Sequence, residues 1–139
     1  MLIGFLTKRM HAFSAIVLGT LVSSLAWILL IVHPSVWMAV ATLVVVAVGE
    51  IIQAPRYYDY ISRLAPPDQQ GTYMGFAFLP LGIGSFIAGK FGGWTMHHFG
   101  EELHQPAMIW WSVVAVGVAT TLLLWIYDRV VKVSAEVAQ

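Results

Sequence analysis

A chain of 139 residues that is 59% hydrophobic, only 10% charged and of zero net charge, with a mean hydropathy of +0.80, falls well outside the balance of a soluble domain, in which about a quarter of residues are charged. A membrane is the expected surroundings, and with no net positive charge there is no basic field to draw nucleic acid. Cysteine is absent, which excludes disulfide frameworks, thiolate metal sites and thiol catalysis.

The apolar run of residues 1–6 precedes the basic pair Lys8 and Arg9, the reverse of a cleavable signal's order. With too few residues to span hydrocarbon, segment 1–11 is expected to be the end of a preceding helix plus a cytoplasmic loop. Residues 12–32 carry no charge and suffice to cross as a helix. His33-Pro34 ends that span, because proline stops the helix before it and is tolerated where the next begins.

The second span is expected over 35–60, antiparallel to the first across a tight turn. A composition of Ala65-Pro66-Pro67-Asp68-Gln69-Gln70-Gly71 signals a turn. The third span follows over 72–93, where Gly71 with Gly75, Ser85 with Gly89 and Gly89 with Gly93 stand four apart, a spacing that lets helices pack closely in lipid. Pro80 is expected to bend that span. A polar connection over 94–105 leads to the fourth span, 107–127, and residues 128–139 form a polar tail, cytoplasmic over 133–139. The fold class is therefore all-α and integral to the membrane, with four antiparallel transmembrane helices over 12–132.

Lys8, Arg9, Arg56, Arg63, Arg129 and Lys132 fall toward one side of these spans and Lys90 toward the other. The positive-inside tendency makes the first side cytoplasmic, with both termini there. Trp94, Trp110, Trp111, Trp125 and Tyr127 lie near span ends, as headgroup-level rings do.

Glu50 sits near the middle of the second span. A carboxylate at that depth costs about 2.5 to 3.5 kcal/mol on insertion scales, so it is a functional-site hypothesis by default; the bland alternative is an acid hydrogen-bonded to a neighbouring helix. Gln53 and Tyr57 share its helix face. Arg56, Asp59 and Arg63 read either as a gate or as a solvated helix end. Pro80 and the third span's glycines read as a flexible element or as packing positions. Lys90 is expected to snorkel to the headgroups, and Thr20, Ser23 and Ser24 to bond between helices. His97, His98, His104, Glu101 and Glu102 lack the spacing of known zinc motifs, so neither metal nor cofactor is expected.

Gly49-Glu50, Pro55, Leu64-Ala65-Pro66, Gly71, Met74-Gly75, Phe78-Leu79, Gly84 and Ala88-Gly89 resemble the tenth helix, connecting loop and eleventh helix of major facilitator superfamily transporters. The likeness is greatest to the proton-dependent oligopeptide transporter branch. The resemblance implies that the spans are helices nine to twelve of a twelve-helix protein, with the lipid bilayer, an N-terminal half not contained in this sequence, protons and a small organic or peptide-like solute as partners.

It also implies that Glu50 stands where that branch has a cavity acid linked to substrate and proton coupling, with Ser85 at a neighbouring family position, and that Arg56-Tyr57-Tyr58-Asp59 replaces a small and apolar run. Face-sharing adds Gln53 and Tyr57 to the substrate and proton-coupling set. The charge group Arg56, Asp59 and Arg63 is the expected gate, and Pro55, Gly71, Gly75, Pro80, Gly84 and Gly89 are the expected hinge and packing positions. Ser85 stands where that branch usually has asparagine, Ala77 where it has a cavity tryptophan, and Lys8 where the loop motif beginning at Gly4 and ending at Arg9 has aspartate. The implied activity is proton-coupled symport by alternating access in a bacterial inner (plasma) membrane, without enzymatic chemistry. The other reading of the residues is a self-contained four-helix membrane protein, an assembly module or small dimeric exporter that uses Glu50.

Overall fold

The computed structural model describes residues 12–137, with side chains over 13–130. The expectations for segment 1–11, the side chain of Lys132 and the last two residues lie outside that range. Among the described residues six α-helices follow one another: α1 (Ala12–Ala26), α2 (Ile28–Val32), α3 (Val36–Leu64), α4 (Gln70–Ala77), α5 (Leu79–Thr95) and, after a π-helical stretch at Met96–Glu102, α6 (Ala107–Val137). Among the described residues there is no strand. They make four rods long and apolar enough to cross a membrane, Phe13–Val32, Val36–Leu64, Gln70–Glu102 and Ala107–Val130.

Local chemistry accounts for the boundaries. Ser35 caps α3, its hydroxyl accepting from the Met38 amide at 3.3 Å, which satisfies one of the donors a helix start leaves open. The first span is interrupted at Trp27, whose indole stacks on that of Trp110 at 5.3 Å and 7°. The second span runs four residues beyond position 60, to Leu64, and continues through Pro55, although a proline there withholds the hydrogen bond that the Ile51 carbonyl would otherwise accept.

The third span breaks at Phe78, two residues before the proline expected to bend it, and Pro80 falls in the first turn of α5. That is where a missing amide hydrogen costs least. Where a polar connection was expected from 94, the chain stays helical to Glu102; only residues 103–106 are non-helical. His97–Glu101 and His98–Glu102 pairs at 2.7 and 2.6 Å line this stretch, and in the turn that follows His104 takes a positive φ of 52°. The fourth helix likewise runs past Tyr127 to Val137, since 128–137 contains neither proline nor glycine.

α1 is the centre of the packing, lying along α3 on one side and α6 on another. Small residues make both approaches. A Cβ added at Gly19 would stand 2.6 Å from the Gly49 carbonyl oxygen, and one at Gly117 would meet Ser24. The buried set follows suit: Ala15, Ser24, Ala26, Thr42, Ala77, Thr95, Val114 and Thr121. In lipid, helices gain by close backbone approach rather than by burying large apolar side chains.

Thr42 and Thr121 are satisfied inside the bundle by donating to the carbonyls of Met38 and Gly117, at 2.8 and 2.9 Å. Ring contacts close the ends. Phe13 meets Tyr60 at 6.0 Å and Tyr127 at 5.7 Å, so the start of α1 lies beside the late parts of α3 and α6, while Trp27 on Trp110 marks the opposite end. Neighbouring rods are thus antiparallel.

The third span is the outlier. From Pro66 to Trp94 only Met74, Ala77 and Phe91 are better than exposed. A Cβ at Gly71, Gly75, Gly84 or Gly89 would meet nothing within 4 Å. The close packing expected of these glycines is therefore not made among the described residues.

Candidate functional site

Glu50 is the middle residue of α3, so about 21 Å of helix extends on either side of it. Its neighbour Gly49 is buried against α1, whereas Glu50 itself is exposed. The carboxylate stands on the flank of α3 that the described part of the chain does not cover.

One turn on, Gln53 is half-buried and its Oε1 lies 2.8 Å from the Thr20 hydroxyl of α1. That hydroxyl also lies 2.9 Å from the carbonyl of Ile16, so its one hydrogen is divided between two acceptors. Ser23 adds a longer bond across the same interface, to the Val46 carbonyl at 3.4 Å. Ser24, expected to bond between helices as well, donates instead to Thr20 of its own helix at 2.6 Å.

A further turn along, the Tyr57 hydroxyl donates to the Ala77 carbonyl at 2.9 Å. Ala77 is the last residue of α4, so this bond ties α3 to the break in the third span. Tyr57 and Tyr58 meet edge to face at 5.4 Å, and Tyr58 meets Phe78 at 5.9 Å. Between these groups is a cavity of about 360 Å³ lined by α1, α3, α5 and α6, with Thr20, Gln53, Tyr57, Tyr58 and Pro80 among its walls. Its size is that of a small-molecule pocket, and mostly apolar walls with a few convergent polar groups are the usual makeup of one.

Of the four residues expected to bind substrate and protons, Gln53 and Tyr57 line this cavity; Glu50 and Ser85 do not. The Ser85 hydroxyl donates to the Leu81 carbonyl at 2.8 Å from an exposed position on α5. The gate group is collinear on α3. Arg63 Nε lies 3.2 Å from both carboxylate oxygens of Asp59, and the Arg63 side chain is 75% exposed, which makes this an exposed i, i+4 pair of about 0.3 to 0.5 kcal/mol. Arg56 is half-buried one turn before Tyr60. Pro55 lies inside the continuous α3, whereas Pro80 sits in the first turn of α5, just past the break at Phe78.

Lys90 lies over the Phe86 ring at 5.1 Å, a cation–π contact within its own helix. Among the described residues no three His, Asp or Glu side chains are placed to hold a metal ion.

Thr20 emerges as a wall of the cavity, and the Gly19–Gly49 crossing positions Gln53 against it. The legible trace of that crossing is Ala15, Gly19 and Ser23, four apart on α1, the same small-residue spacing sought in the third span. Leu81 and Leu124 leave no comparable trace.

The sequence profile of the Major Facilitator Superfamily matches residues 1–138. The chain is 36% identical over 78 residues to the multidrug resistance protein MdtH of Cronobacter sakazakii, covering 56% of this chain and 19% of that protein. It is 35% identical over 91 residues to the MdtH of Aeromonas hydrophila, covering 66% and 22%. With the MdtH of Klebsiella pneumoniae it shares 30% identity over 118 residues, 85% of this chain and 29% of that protein. The matches thus span from about a fifth to under a third of these relatives' length. No solved structure matches the chain.

Proposed function

The chain belongs to the major facilitator superfamily, and from that premise we propose that it forms helices nine to twelve of a secondary transporter that moves a small organic solute across a bacterial inner membrane by proton-coupled alternating access. The observation that carries the coupling step is Glu50: an acid at the midpoint of a span, exposed beside the four-helix packing, about one turn before Gln53 of the cavity wall. In these transporters the solute site lies near the bilayer midplane where two repeats meet. A carboxylate facing such a site exchanges a proton as its surroundings dry, and gives it up when a cation approaches.

The names of the relatives, multidrug resistance proteins, favour drug-like organic molecules as the solute. The cavity at Gln53 and Tyr57, with its mostly apolar walls, suits the same class. Peptide-like solutes and symport are the second reading, favoured by the unbroken spacing from Gly49-Glu50 through Leu64-Ala65-Pro66 to Gly89; Ala77 and Ser85, at positions where the peptide branch usually has tryptophan and asparagine, weigh against it.

For orientation, Arg56, Arg63 and Arg129 occupy the late parts of α3 and α6, the end that Phe13, Tyr60 and Tyr127 share. Basic residues gathered at one end favour that end as cytoplasmic.

The test uses the full-length transporter in proteoliposomes under an imposed proton gradient, with a panel of drug-like dyes and of dipeptides. Glu50→Gln is expected to abolish gradient-driven movement of the transported class while leaving the apparent Tm unchanged. Wild-type movement by the variant overturns the reading.

A further inference from the structure

The polar end of the third span plays no part in the transport reading. Residues 70–95 cover about 39 Å of helix with a break at Phe78, against roughly 30 Å of hydrocarbon, so the polar Met96–Glu102 stretch falls at the far end of the Gln70–Glu102 rod. An α-helix stacks neighbours three and four positions apart and turns the fifth aside. His97 nonetheless reaches Glu101 through Nδ1 at 2.7 Å and Glu102 through Nε2 at 3.4 Å, a fourth and a fifth neighbour together. The π-helical backbone makes this reach, because bonding five residues apart brings the fifth neighbour back to the same face. The Leu103 amide donating to the His98 carbonyl at 3.0 Å is such a bond. His98 pairs only with Glu102, four positions on, at 2.6 Å, and stacks on Trp94 at 5.5 Å; an α-helix would permit that pair equally well.

We propose that Met96–Glu102 is a proton-sensitive clasp at the end of the third span: imidazolium at His97 bridges Glu101 and Glu102 and selects the π-helical turn, and loss of its proton releases that turn. The charged groups around it are few. Glu101, Glu102 and His98 share its own stretch, and His104 follows in the connection, Nδ1 3.2 Å from the Glu102 carbonyl. From α5 the nearest cation in sequence is Lys90, drawn over Phe86. The first turns of α6 present Ala107, Met108, Ile109, Trp110 and Trp111, none of them titratable.

The hydrogen bond with Glu101, then the charges of Glu102 and Glu101, hold the His97 imidazole above its ordinary 6.5. A raised value in the folded form means that the contribution is fully present below about pH 6.5 and is lost as pH rises through the higher folded value. The His97 side chain is 66% exposed, so the effect is modest and weakens with salt.

The experiment measures amide protection at Leu103 and Gln105 of the chain in lipid nanodiscs, at about pH 5.5 and about pH 8.5, on either side of histidine's ordinary range, corrected for intrinsic exchange. Protection is expected to fall several-fold at the higher pH. His97→Gln should be flat at the alkaline level, and His98→Gln should keep the pH dependence. Equal protection at both pH values in the wild type, or an undiminished pH dependence in His97→Gln, overturns the proposal.

Discussion

A single methyl group at Gly19 has nowhere to go. Its Cβ would lie 2.6 Å from the Gly49 carbonyl oxygen and 2.8 Å from the Gln53 Cβ, and a Cβ at Gly49 would meet Ser23 Oγ and, at 2.7 Å, the Gly19 carbonyl oxygen. Carbonyl oxygens belong to the backbone and cannot rotate aside, so α1 and α3 must separate to admit the methyl. Overpacking of this kind costs about 1 to 3 kcal/mol. Gly19→Ala is therefore expected to lower the apparent Tm in detergent, and it also draws Gln53 away from Thr20. Gly84→Ala, with nothing within 4 Å, should leave the Tm in place. Equal effects from the two substitutions would contradict the crossing.

The third span is governed by one hydrogen bond and one proline. Tyr57 donates to the carbonyl that ends α4, and Pro80 opens α5 two residues past the break. Tyr57→Phe removes a bond with a net contribution of about 0.5 to 1.5 kcal/mol and leaves the rings in place. Since the chain has no cysteine, spin labels at Tyr73→Cys and Ile83→Cys report the angle across Phe78 without interference. A broader distance distribution is expected for Tyr57→Phe. A longer mean distance is expected for Pro80→Ala, which restores a donor for the Phe76 carbonyl. Unchanged distributions in both would mean that neither residue sets the bend.

These elements also show what was readable beforehand. The four spans and the start of the second after His33-Pro34 follow from hydropathy and proline, so they were legible; the Ser35 cap was seen only in the structure. The π-helical stretch was not, because His97, His98, Glu101 and Glu102 read as a polar connection unless their mutual pairing is known in advance. Helices apolar on all sides carry no amphipathic stripe, so nothing in their pattern says which face turns inward. For that reason spacing could group Glu50, Gln53 and Tyr57 but not tell that only the last two line the cavity, and Ser85 could not be assigned a neighbour.

At the scale of the whole molecule, charge asymmetry and packing make one arrangement testable. Phe13, Tyr60 and Tyr127 gather at the end where Arg56, Arg63 and Arg129 lie, and the connection after α3, residues 65–69, leaves from that end. The connection at 103–106 leaves from the other, beside the His–Glu pairs. Lys and Arg in short connections set orientation, and Asp and Glu contribute little to it, so Glu101 and Glu102 do not offset the argument from the arginines. Single cysteines at Gln69 and Gln105, in an otherwise cysteine-free background, separate the two faces with a membrane-impermeant maleimide. Gln105→Cys is expected to label in intact cells and Gln69→Cys only after permeabilisation. The reverse pattern would invert the molecule, placing the His97 clasp in the cytoplasm, where it would sense the cell's own pH.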